Sequence, residues 1–335
     1  MAMDLLSLQP TTLSRDLSGY ITYIYGPGKI GKSTFGSQLP SPIFAAFERG
    51  YNALPGIIAQ DITSWSEMKN MVRELKKPAV KERFKSVIID TVDIAADLCA
   101  KYICSQEGVD EISQLDWGKG WTKVKKEMES TFRTITQLGY AVLFISHDKD
   151  KEITRRDNTK YTQTVPSLTR AFNDIVRDMA DFYVYAHLVP IGDNQYARKL
   201  TIRSEDDSIA CGSRFKYIAS EIDFSYDAFV QAINDAIDKE VAEKGKEYVT
   251  NERIKPIIEN ELNFDNLMQE FNKIITDISE KATPEEMDNY WAPRITEITD
   301  RYLGKGKKVS QCTRDQVEQI SLIVTELQDL SNGVE

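Results

Sequence analysis

One eight-residue stretch, Gly26-Pro27-Gly28-Lys29-Ile30-Gly31-Lys32-Ser33, restricts the folds open to this chain more than any other feature. It spells G-x-x-x-x-G-K-[ST], which carries chemistry only where it joins a β-strand to a helix. Both flanks fit, because residues 20–25 read as a strand and a helical pattern follows Ser33. Glycines at 26, 28 and 31 let the backbone turn successive N–H groups towards phosphate oxygens, and the start of the next helix adds positive field. Lys32 can then reach the β and γ phosphates of a nucleotide while the Ser33 hydroxyl ligates Mg²⁺. ATP and Mg²⁺ are therefore the expected ligands of residues 26–34. Within that run Lys29 and Thr34 also fit plain loop and helix roles.

Such a loop needs a carboxylate beside the metal, at the end of a second strand. In Phe84-Lys85-Ser86-Val87-Ile88-Ile89-Asp90-Thr91, three consecutive β-branched residues suit a strand buried on both faces, and Asp90 stands at its end. Asp90 is the expected metal partner of Ser33, and Asp93 reads as a charge in the first turn of a helix. Glu48 closes the strand expected at 43–47. Parallel strands deliver their C-terminal ends to one crevice, so Glu48 can orient and deprotonate an attacking water, or serve as a loop acid paired with Arg49. Ser146 and His147 follow the strand expected at 141–145, where His147 can sense the γ-phosphate or be a satisfied loop histidine.

Strands expected at 20–25, 43–47, 86–89, 141–145, 182–187 and 199–203 alternate with helical stretches such as 64–77 and 121–138. That order predicts an α/β domain over 1–224 with a mainly parallel, twisted sheet. From 226 onward the period is helical: a connecting helix within 225–250, then a smaller all-α region over 251–335 with a basic, flexible joint near 301–308. Leu267, Phe271, Ile274, Ile275 and Ile278 share one face of a helix expected at 266–281. Thr283 with Glu286 and Thr313 with Gln316 spell capping boxes, the first before a stripe of Met287, Trp291, Ile295, Ile298 and Tyr302, and Gly333 can end the last helix. Charge divides the same way. Residues 1–224 hold 29 basic and 29 acidic side chains, and 225–335 hold 13 and 23, so the whole net charge of −10 is C-terminal. An apolar content of 41% supports a packed core and excludes a disordered chain. No apolar run approaches the roughly 20 residues of a membrane helix, and the start lacks a secretory pattern, so a cytoplasmic protein with no membrane partner is expected. Cys99, Cys104, Cys211 and Cys312 show no C-x-x-C or Cys/His cluster and are expected to be reduced, mostly buried thiols.

The order of these pieces resembles the RecA-like recombinase core. More closely, Tyr25 to Thr34, Phe47-Glu48-Arg49-Gly50-Tyr51, Ile88-Ile89-Asp90-Thr91 and Phe144-Ile145-Ser146-His147 look like the phage-encoded RecA-like ATPases of the Sak single-strand annealing group. The resemblance covers about residues 18–235, and Glu48 departs from it in lacking the acidic neighbour common in bacterial recombinases. It implies an ATPase whose catalytic set is Glu48, Lys32, Asp90 and His147, working as a homo-oligomer, filament or ring, on single-stranded DNA, with a single-stranded DNA-binding protein as a further partner. It places a DNA-binding loop after His147. Residues 149–170 hold six basic and three acidic side chains, show no helical or strand periodicity before Pro166, and offer Arg155, Arg156, Lys160 and a stackable Tyr161. A solvated surface loop is the plain alternative. A second candidate, ending in Gly118-Lys119-Gly120-Trp121, couples glycine flexibility to Lys and Trp, although core packing explains Trp117 and Trp121 equally well. The resemblance also implies a basic residue reaching a neighbour's phosphates, for which Arg203 and Arg214 are favoured over Lys199 by their guanidinium forks. Annealing or strand exchange is the function so implied. A nucleotide-switched assembly or loader protein without DNA chemistry, and a RecA-fold helicase, remain the alternatives.

Overall fold

The computed structural model describes residues 10–115, 118–192, 194–252, 254 and 263–332. The described residues up to 254 form one compact unit and residues 263–332 another. In the first, a sheet runs in the order β10 (Glu221–Asp223), β9 (Gln195–Thr201), β8 (Phe182–Gly192), β1 (Ile21–Tyr25), β5 (Ala141–Ser146), β4 (Ser86–Asp90), β2 (Pro42–Ala46), β3 (Ile58–Asp61). The pairs from β8 across to β3 are parallel, while β9 and β10 add antiparallel. Hence β5 lies between the strand that enters the phosphate loop and the strand that ends in Asp90. This is the RecA-like P-loop arrangement.

Strands covered on both faces read as continuous apolar runs, and period two sorts their side chains. Tyr23, Tyr25, Val87, Ile89, Val142 and Phe144 enter one core layer with α2 (Trp65–Leu75), α3 (Val92–Glu107), α4 (Lys119–Gln137) and α5 (Arg170–Met179). Ile24, Phe44, Ile88, Leu143, Ile145 and Val184 enter the other with α1 (Lys32–Ser37) and α6 (Tyr226–Lys244). Phe229, Ala232, Ile233, Ala236 and Ile237 of α6 are buried there. The helix expected as a connector is thus part of the first unit's core, and the chain continues to pair Val249 and Thr250 with Leu13 and Ser14 before that unit ends.

Two expectations about loops are corrected. The stretch after His147 is a β-hairpin, β6 (Asp148–Thr154) paired with β7 (Lys160–Pro166). Gly118 to Trp121 is a helix start: Gly118 sits at φ 73° before α4, and a Cβ on Gly120 would meet Ile112 within 2.9 Å. Trp121 is exposed and its ring approaches Phe172, whereas Trp117 lies outside the described residues.

In the second unit α7 (Phe264–Lys281), α8 (Ala292–Leu303) and α9 (Val317–Ser331) bury Ile274, Ile278, Ile298, Ile320, Ile323, Val324 and Leu327. Both capping boxes form. The helix expected from Thr283 is interrupted by a wide π-type turn over Met287–Trp291, because Pro293 has no N–H to give the carbonyl four residues back and its ring crowds that carbonyl. The basic joint is a tight turn: the Gly306 N–H donates to Asp300 at 2.7 Å and Val309 is buried. Gly333 lies outside the described residues.

Candidate functional site

The C-terminal ends of β1, β2, β4 and β5 converge, and each delivers one of the expected residues. Between β1 and α1 the loop keeps Gly26 at φ 156° and Gly31 at φ 113°. A Cβ on Gly26 would stand 2.2 Å from the Ala186 carbonyl oxygen of β8, a separation no side chain tolerates. Of the remaining loop residues, Ile30 turns its side chain into the core, Lys29 is exposed in a left-handed conformation, and Thr34 is exposed on α1. Backbone amides are thus the donors that 26–31 can offer to a phosphate.

Lys32 is buried, and its Nζ donates to the carbonyls of Gly26 at 2.6 Å and Pro27 at 2.8 Å. Burial lowers its pKa from the ordinary lysine value, against the opposing pull of Asp148, Asp90, Asp93 and Glu48. The Ser33 Oγ–H donates to Asp90 Oδ2 at 2.6 Å. Burial raises the Asp90 pKa, which the Ser33 hydrogen bond and the charges of Lys32 and His147 partly offset. A hydroxyl and a carboxylate in contact, beside a lysine, are hard oxygen donors suited to Mg²⁺, which keeps most of its sites for water and phosphate. Ser33 and Asp90 would hold that ion, which would supply charge neutralisation to a bound phosphate. Among the described residues no group of three His, Cys, Asp or Glu side chains forms a closed metal cage.

The Asp90 carbonyl accepts the N–H groups of Phe47 and Glu48, at 2.7 and 3.2 Å, which fastens the end of β2 to that of β4. Glu48 Oε1 accepts from Thr91 Oγ1 at 3.0 Å and lies 3.4 Å from His147 Nε2. The pairing of Glu48 with Arg49 does not form; Arg49 lies 3.5 Å from Asp61. Glu48 therefore faces the crevice with a hydroxyl and an imidazole as neighbours, a position from which a carboxylate can orient water.

Asp93 does more than charge a helix start. Its carboxylate accepts from Ser146 Oγ at 3.1 Å, from the His147 N–H at 3.4 Å and from Ser167 Oγ. The Ser167 N–H in turn donates to the His147 carbonyl at 2.8 Å. Asp93 thus clips the end of β5 to the foot of the hairpin. Tyr185 of β8 donates to Asp148 at 3.1 Å, and the Tyr25 hydroxyl lies 2.8 Å from the Ala210 carbonyl and 3.1 Å from that of Thr164. The hairpin is therefore rooted in the same three strands that frame the phosphate loop.

The β6–β7 register puts Asp148, Asp150, Glu152, Thr162 and Lys160 on one face, and Lys149, Lys151, Ile153, Tyr161 and Gln163 on the other. Arg155 lies over the Tyr161 ring, 4.5 Å from its centroid, and 3.9 Å from Asp207. Of the residues expected to meet DNA, Arg155 and Tyr161 come together, Arg156 is exposed in the turn, and Lys160 joins the acidic face, paired with Glu152 at 2.7 Å. Lys151 belongs with Arg155 and Tyr161, and its signal was the strict alternation Asp148-Lys149-Asp150-Lys151-Glu152. Arg203 and Arg214 are not brought to their own phosphate loop. Arg203 donates to the Phe215 carbonyl, and Arg214 pairs with Asp181 at 3.1 Å at the start of β8, the end of the strands opposite the phosphate loop.

Among the described residues no helix is long and apolar enough to cross a membrane. Along its whole length the chain is similar to the SPbeta prophage-derived uncharacterized protein YorG of Bacillus subtilis (strain 168), with 28% identity over 98% of this chain and 99% of that one. It is also similar to the crystal structure of the KaiC-like protein PH0186 from Pyrococcus horikoshii OT3, at 14% identity and a TM-score of 0.34 over 56% of this chain and 79% of that one. Residues 18–215, which hold the phosphate loop, Glu48, Asp90, His147 and the hairpin, match the AAA domain family, and the chain belongs to it.

Proposed function

We propose that this protein is an ATP-dependent single-stranded DNA-binding protein of phage recombination or replication, supporting annealing or strand exchange as a homo-oligomer. In this reading Lys32 and the loop amides hold the β and γ phosphates, Ser33 and Asp90 hold Mg²⁺, Glu48 is the general base, and His147 reads the γ-phosphate. The observation that carries the DNA part is the hairpin's attachment. Its foot shares Asp93 with the end of β5, and the same hairpin carries a basic and aromatic face that suits a sugar-phosphate strand. A change at His147 would reach Ser167 through one carboxylate and one backbone hydrogen bond. The prophage origin of the full-length relative supports the phage setting.

ATP turnover measured with and without single-stranded DNA tests the proposal. Turnover should rise with DNA, and DNA binding should depend on nucleotide. ATP hydrolysis indifferent to DNA, with no DNA binding in any nucleotide state, would favour a nucleotide-switched assembly or loader protein. That second reading draws on the hairpin's charge, which is nearly balanced at five basic against four acidic residues over 148–166.

A further inference from the structure

The phosphate loop has a cationic neighbour on the side away from Glu48 and His147. β9 sends Leu200 into the core layer of α1 and α6. Two residues earlier, on the same face of the strand, stands Arg198. One of its guanidinium nitrogens lies 3.6 Å from the point a Cβ on Gly31 would occupy, and the Phe224 ring lies 3.7 Å from that point. Their backbones are joined, the Phe224 N–H donating to the Arg198 carbonyl at 3.0 Å, and the Phe224 ring is fixed by stacking on Phe35 of α1 with centroids 5.5 Å apart. Nearby cations are engaged otherwise, since Lys199 on the opposite face pairs with Asp223 at 2.7 Å and Lys32 is bound to the loop carbonyls. Arg198 is exposed and has no carboxylate partner among the described residues.

We propose that Arg198 binds the nucleotide of its own subunit at the nucleoside end, its guanidinium taking an α-phosphate oxygen while Phe224 lines the base. This rests on the reading of the loop as an ATP site. Lys32 and Ser33 serve the β and γ end, so the α-phosphate and nucleoside must leave past the first turn of α1, where Arg198 and Phe224 stand. A guanidinium fork is suited to that contact because it offers two parallel donors to one phosphate.

The test is equilibrium binding of fluorescent N-methylanthraniloyl ADP and ATP to the full-length protein. Arg198→Ala should weaken both ligands alike, by about tenfold for one lost charge-assisted hydrogen bond, with an unchanged melting temperature. Arg198→Lys should recover part of the loss, and it carries the test should the alanine variant fail to fold. Equal affinity in wild type and both variants overturns the proposal. So does weakened ATP with unchanged ADP, which would put the guanidinium at the γ end, or slowed hydrolysis with unchanged binding, which would put it in a neighbour's site. A wild-type protein that binds neither nucleotide overturns the ATP-site reading itself.

Discussion

Replacing Lys151 and Arg155 together by alanine separates the two faces of the hairpin. Both belong to the face that carries Tyr161, Lys151 has no carboxylate partner among the described residues, and the exposed Arg155–Asp207 pair at 3.9 Å is weak competition for a phosphate. Each cation that neutralises a phosphate on a single strand contributes about 0.7 to the slope of log affinity against log salt. The double variant should therefore flatten that slope by about 1.4 per protomer, which over a fourfold rise in salt narrows the affinity loss about sevenfold. Lys160→Ala is the control, because Lys160 shares its face with Asp150 and Glu152 and is already paired at 2.7 Å. Its slope should stay at the wild-type value. The assay is fluorescence anisotropy on an oligothymidine at four or five salt concentrations with saturating nucleotide. A Lys160→Ala slope as flat as that of the double variant, or a double variant with the wild-type slope, refutes a two-faced hairpin.

The other predictions concern the crevice and the chain's two units. Lys32→Ala should abolish tight ATP binding, while Glu48→Gln should keep it and slow hydrolysis by roughly 10²–10⁴-fold, the usual loss with a general base; single-turnover kinetics with unchanged rates would move the base elsewhere. Asp90 is held above the ordinary aspartate value of 3.8 by burial, so the folded state binds its proton more tightly and, between the unfolded and folded pKa values, stability rises as pH falls. Metal binding needs the carboxylate and should weaken over the same fall, so with Mn²⁺ held well below its Kd electron paramagnetic resonance of the bound ion should show a midpoint above 3.8, and a midpoint at or below it would contradict the burial. Asp93→Ala should lose most of the DNA stimulation while basal turnover falls less, and equal losses would mean that Asp93 is not the link. Removing the acidic C-terminal unit should strengthen DNA binding by relieving like-charge repulsion, provided the cut follows residue 257; a cut after Tyr226 strips the buried face of α6 and should unfold the protein, as circular dichroism would report.

The residues legible in the sequence were those whose chemistry fixes their spacing. Gly26 to Ser33 can do little but cradle phosphate, and Val87-Ile88-Ile89 can do little but cross a sheet covered on both sides, so the crevice followed from where those strands end. The hairpin escaped because it buries almost nothing. Its period is carried by charge sign, and a search for apolar alternation passes over Asp-Lys-Asp-Lys-Glu. β3 escaped similarly, as an edge strand of four residues, Ile-Ala-Gln-Asp, with only half its side chains shielded. The Asp93 clip and the approach of Arg198 were beyond reach for a different reason. Each joins positions more than 50 residues apart, and a single sequence holds no record of which distant turns meet.

The 2.2 Å between a hypothetical Gly26 Cβ and the Ala186 carbonyl gives the phosphate loop an uneven tolerance. Gly28 has open space around it and no left-handed φ, so alanine there should be accepted by the fold. At Gly26 even a methyl group must push β8 aside, and β8 carries Tyr185 under the hairpin and continues into the strand pair that bears Arg198. A substitution at that glycine would be felt first as a displaced strand and only then as a damaged loop. The loop's floor is another strand's backbone, so variation in this part of the molecule is confined to side chains that point away from it.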